Sequence, residues 1–104
     1  EYTEALSLFE KVIENDPGNM ASHFYSGISL QETGMYKSAI EEYKTVIQNK
    51  DNLFTEQAEW YTGLCLLQIN DNRKAYRQFK KIAESNGFNQ DKAKEILKNI
   101  KIVE

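Results

Sequence analysis

The sequence predicts an all-α fold in which antiparallel helix pairs stack in series, an α-solenoid of about two and a half repeats closed by a C-terminal capping helix. Three observations predict it. One apolar stripe, at spacings of three and four, is written three times along the chain. A second kind of apolar segment, with a glycine in its middle, is written twice between those copies. Chain breakers are scarce as well: one proline and five glycines in 104 residues, with good helix formers filling the stretches between them.

The first helix is expected over 2–15, where Tyr2, Ala5, Leu6, Phe9, Val12 and Ile13 fall on one face before the turn Asp16-Pro17-Gly18-Asn19. Thirty-four residues on, Tyr36, Ala39, Ile40, Tyr43, Val46 and Ile47 repeat the stripe in the same size order, which predicts a helix over 36–49. A further 36 residues give Asn72, Ala75, Tyr76, Phe79, Ile82 and Ala83, with only the first aromatic lost, in a helix over 72–85. Between these copies, Phe24-Tyr25-Ser26-Gly27-Ile28 predicts a helix over 20–33, and Trp60-Tyr61-Thr62-Gly63-Leu64 predicts its counterpart over 55–69. Glycine inside a helix costs about 1 kcal/mol relative to alanine, so Gly27 and Gly63 mark a close approach by a neighbour. Ala5, Ala39 and Ala75 are the expected small partners.

The last helix, over 90–101, carries Ala93, Ile96, Leu97 and Ile100 on one face and lysines elsewhere, as befits a cap over the open apolar end of an array. Asn89 is its expected N-cap, and Asp91 suits the positive end of its dipole. The chain therefore divides, as one domain, into a half repeat over 1–19, full repeats over 20–53 and 54–88, and the capping segment over 89–104.

These residues resemble the tetratricopeptide repeat, a helix-turn-helix unit of about 34 residues with aromatic, Gly, Ala and Pro positions. Placing Gly27 on the family's first-helix glycine puts Gly34 in the turn, Tyr36 at the start of the second helix, Ala39 at the small position and Tyr43 at its aromatic. Asp16-Pro17-Gly18-Asn19 matches the turn that ends a unit. The chain departs from the pattern where Asp51 replaces the closing proline, Asn70 the turn glycine and Gly87 the last proline. Asparagine tolerates the left-handed conformation, so the exchange at Asn70 has a physical basis. The resemblance spans 2–89 and implies a right-handed superhelix whose first helices line a concave, polypeptide-binding surface.

Other functional classes find little support. The net charge is −3, and the densest basic run, Arg73, Lys74, Arg77, Lys80 and Lys81, has helical spacing and reads as a solvated outer face, so nucleic acid is not an expected partner. The longest nearly apolar stretch, 63–67, is far short of the roughly 20 residues of a membrane span. Cys65 is alone and His23 is the one histidine, which leaves no metal-ligand pattern, and the compartment stays open. Cys65 reads as a small buried hydrophobe and His23 as a packing or surface residue. Glu41 and Glu42, adjacent in sequence, diverge around their helix and read as solvent-facing. No cofactor motif or nucleophile elbow is present, and a non-catalytic role is expected.

Binding is expected on the inner face implied by the resemblance: Phe24, Tyr25, Ile28 and Gln31 from one unit, Trp60, Tyr61, Leu64 and Gln68 from the next. Phe24 and Trp60 divide between core and groove, whereas Tyr25 and Tyr61 combine a rigid ring with a polar tip and suit the groove itself. Family members that grip a terminal carboxylate use Lys and Asn there, and this chain has aromatic, aliphatic, Gln and Glu residues instead. A protein or peptide segment offering apolar side chains fits better. The alternative is a self-assembly or intramolecular packing module, because the first helix lacks its mate and would expose a flank of Leu6, Phe9 and Ile13, giving a possible homo-oligomer.

Overall fold

The computed structural model describes residues 1–50 and 52–101, and the expected replacement of the closing proline by Asp51 lies outside the described residues, as does the end of the segment over 89–104. Among the described residues there are six helices and no strand: α1 (Tyr2–Asn15), α2 (Met20–Glu32), α3 (Tyr36–Asn49), α4 (Thr55–Gln68), α5 (Asn72–Glu84) and α6 (Gln90–Leu97). Each helix packs against the next in sequence, in a body of 42 × 27 × 21 Å.

Local chemistry sets the ends. Asn19 accepts a hydrogen bond from the Ser22 amide at 3.0 Å, and Asp71 accepts one from the Lys74 amide at 3.2 Å, so α2 and α5 begin on side-chain caps. α2 and α4 finish alike. The Met35 amide donates to Leu30 O (2.8 Å) and Gly34 to Gln31 O (3.1 Å), while Asp71 donates to Leu66 O (2.9 Å) and Asn70 to Leu67 O (3.0 Å). This paired closure needs a left-handed residue at the turn, supplied by Gly34 at φ 82° and by Asn70 at φ 62°. Asparagine thus does glycine's work in the second unit.

α3 and α5 repeat the same burial. Ala39 and Tyr43 are fully buried, as are Ala75 and Phe79, while Val46 and Ile82 follow at 0% and 7% exposure. The core forms two clusters, one around Phe24, Tyr43, Val46 and Cys65, the other around Leu66, Phe79, Ile82 and Ala93. Ile40 packs against both.

Three expectations need correction, and one holds only in part. The small neighbour of Gly27 and Gly63 is not an alanine: a Cβ on Gly27 would run into the Tyr43 ring, and one on Gly63 would lie 2.5 Å from Phe79 Cζ. The glycines make room for the large ring of the following helix, a role that periodicity alone does not distinguish from helix-to-helix contact. Asn89 holds the N-cap position of α6 as expected, but its buried side chain makes no capping hydrogen bond. α6 ends at Leu97, where Asn99 donates to Glu95 O at 3.1 Å and the chain turns, so Ile100 reaches the second cluster from outside the helix. Finally, α1 half-buries Leu6, Phe9 and Ile13 and exposes a different flank, Tyr2, Leu8 and Val12.

Candidate polypeptide-binding face

The eight residues expected on the inner face separate by depth. Phe24, on the second turn of α2, is 4% exposed and forms the hub of an aromatic cluster, with its ring 4.9 Å from Phe54, 6.0 Å from Tyr43 and 6.1 Å from Tyr61. Tyr25, one residue on, is turned outward: it is 44% exposed, stacks on Phe9 of α1 at 5.7 Å and meets Phe24 and Phe54 edge-on. Tyr61 is half-buried and stacks on Tyr43 at 5.9 Å. Ile28 is half-buried beside this cluster, and Gln31 accepts a 2.7 Å hydrogen bond from the Tyr43 hydroxyl.

Trp60 and Leu64 belong elsewhere. Both are half-buried against the second cluster, where Trp60 meets Phe79 edge-on at 5.3 Å. Adjacent positions on a helix point about 100° apart, so Trp60 and Tyr61 serve different clusters. Gln68 is exposed at the end of α4. Phe24, Tyr25 and Tyr61 therefore share one cluster, and Phe24 is core instead of groove. Phe9, expected on the α1 stripe, and Phe54 complete that cluster; Phe54 was not legible in the sequence, since it precedes its helix and falls outside any periodic stripe.

Burial governs the ionisable groups. The Tyr43 hydroxyl is held well above its ordinary range by desolvation, with Cys65, Tyr61 and Glu32 adding to it, and the Cys65 thiol is pushed up to about 11 by burial. Such a thiol is a poor nucleophile at neutral pH. His23 is buried too, with Nε2 2.8 Å from the Pro17 carbonyl and Nδ1 2.7 Å from Glu42 Oε1. Each ring nitrogen thus has an oxygen partner, which ties the α1–α2 turn to α3. Glu42 is accordingly not the solvent-facing residue expected: the buried ring draws it inward. Among the described residues no three His, Cys, Asp or Glu side chains come together as a metal site. No helix among them is long and apolar enough to cross a membrane.

A further feature lies between α3 and α5. A groove of about 830 Å³ is lined by Lys37, Ile40, Glu41 and Lys44 of α3 and by Lys74, Arg77, Gln78 and Lys81 of α5, with Leu66 and Ile69 at its floor and Asp71 at its edge. Three members of the basic run of α5 thus line a concavity. The signal was present in their spacing at i, i+3 and i+7, but the facing stripe of α3 becomes adjacent only on folding. Compared with protein-family models, characterised proteins and solved structures, the chain finds no match.

Proposed function

We propose that this chain is a tetratricopeptide-like helical array, a right-handed superhelix of helix pairs, that binds a peptide or protein segment on its α2–α4 face and performs no catalysis. The observation that carries the reading is the state of Tyr25. Its ring is 44% exposed and yet braced by Phe9, Phe24 and Phe54. A contact residue already held in place loses little side-chain freedom on binding, and aromatic anchors dominate polypeptide interfaces for that reason. Ile28 and Tyr61, half-buried against the same cluster as Phe24, offer further apolar area, and the exposed Gln68 offers hydrogen bonds.

Tyr25 is the residue to test, since Tyr61 also supports Tyr43 and its loss would confound binding with stability. Peptides selected from a display library on the intact chain are titrated into wild type and Tyr25→Ala, with amide NMR shifts mapping the contact. Shifts over α2 and α4 and affinity reduced about tenfold or more by the substitution are expected for an aromatic anchor. Shifts confined to other helices, with affinity unchanged, would sink the reading.

One observation favours self-association as a second reading. Tyr2, Leu8 and Val12 of α1 are 49%, 62% and 40% exposed, and no residue of that helix is fully buried. Sedimentation of wild type against Leu8→Glu/Val12→Glu separates the two: a concentration-dependent dimer abolished by the double substitution supports assembly, and a monomer throughout removes it.

A further inference from the structure

We propose that the groove between α3 and α5 docks an acidic polypeptide segment, seating an apolar side chain on Ile40, Leu66 and Ile69 while its carboxylates meet Lys37, Lys44 and Arg77. The site is separate from the α2–α4 face, and its case rests on charge and shape. Each wall presents four residues at i, i+3, i+4 and i+7, and these two walls hold five cations in a chain whose net charge is −3. That is a local concentration of positive charge against the overall sign.

The cations differ in availability. Lys74 lies 3.9 Å from Asp71 and Lys81 lies 3.2 Å from Glu59, so both are partly neutralised within the protein. Among the described residues, no ion pair or hydrogen bond engages the side chains of Lys37, Lys44 or Arg77, and all three are exposed. Arg77 brings the planar fork that suits a carboxylate, and the two lysines stand two helical turns apart, about 10 Å, on the opposite wall. Between the walls the floor is aliphatic, so a ligand with charge alone would leave it wet. A segment with acidic residues flanking an apolar one uses both features.

The same geometry argues against a nucleic acid. Glu41 and Asp71 line the groove and would oppose a continuous phosphate backbone, and the aliphatic floor offers no aromatic surface for stacked bases. Discrete carboxylates avoid both obstacles.

The test uses the whole chain and a fluorescent helical peptide of about twelve residues built from Glu and Leu, long enough to span the groove. Binding is followed by anisotropy at low and high salt. Expected are saturable binding weakened by salt, loss of about tenfold or more in Lys37→Glu/Arg77→Glu, and undiminished binding in Tyr25→Ala. Lys37→Gln/Arg77→Gln should lie between the two, and thermal melts unchanged from wild type show that these exposed substitutions leave the fold intact. Equal affinity in wild type and charge-reversed protein overturns the proposal. So does a Glu-Gly peptide that binds as well as the Glu-Leu one, or an oligodeoxythymidylate that binds more tightly than either. Loss of self-association in the charge-reversed variant, without loss of peptide binding, overturns it in favour of a second copy of this chain.

Discussion

At Gly27 and Gly63 the missing side chain is replaced by ring atoms of Tyr43 and Phe79. Alanine normally gains about 1 kcal/mol over glycine inside a helix. Here the added methyl would displace a fully buried ring, and overpacking of that kind costs about 1–3 kcal/mol. Gly27→Ala and Gly63→Ala should therefore each lower stability in urea denaturation by about 1–2 kcal/mol, and a stabilised variant would show that the rings move aside freely. Ser26, one residue before Gly27, behaves oppositely. It is fully buried and its hydroxyl has no hydrogen-bond partner, so Ser26→Ala should be neutral or stabilising by up to about 1 kcal/mol in the same experiment. A marked loss would mean that a water or neighbouring carbonyl satisfies that oxygen in solution.

Equivalent stripes need not be equally buried. α3 lies between α2 and α4 and closes Ala39, Tyr43 and Val46 completely, whereas their counterparts in α1, Ala5 and Phe9, are half-buried and Val12 is 40% exposed. Among the described residues, the extensive packing of α1 is against α2, whereas α3 packs extensively on both α2 and α4. Local opening of such a helix exposes little apolar area, so hydrogen exchange should find its amides open first while those of α3 and α4 persist until global unfolding. Leu8→Gln, on the exposed flank, should shift stability by no more than about 0.5 kcal/mol. Protection in α1 equal to that in α3 would contradict this gradient and point to a covering partner.

Across the molecule, consecutive packing joins two clusters through Ile40, and the buried acids of the first make stability depend on pH. The unfolded chain releases the Cys65 proton near its ordinary 9.0, but the folded chain holds it up to about 11. Between those values the unfolded state binds fewer protons, so the thiol's contribution to stability is fully present below about pH 9 and is lost as pH rises through the window. Tyr43, ordinarily ionising at 10.0 and raised by burial, extends the loss upward. The alkaline decline should be on the order of 2 kcal/mol from the thiol and should flatten in Cys65→Ala, as thermal melts from pH 8 to pH 11 will read. An identical slope in both proteins would assign the decline to other groups.

Helix identity and order were legible in the sequence because three- and four-residue spacing and turn chemistry act over a few neighbouring residues. The apolar stripes marked α1, α3 and α5, and Gly34 and Asn70 marked the turns that close α2 and α4. The early end of α6 was not legible, since it depends on where Ile100 finds the second cluster. Tyr25 and Tyr61 were legible as candidate site residues, but the depth of Phe24 was not: both Phe24 and Tyr25 meet Phe54, yet Phe24 is enclosed by Tyr43 and Tyr61 while Tyr25 leans on Phe9 and stays exposed. The sequence by itself determined which segments are helical and which of their residues are apolar. Tertiary structure decided which ring fills each glycine, which stripe stays open and that the basic side chains of α3 and α5 meet across one groove, because contacts between residues distant along the chain follow from how helices pack and not from their periods.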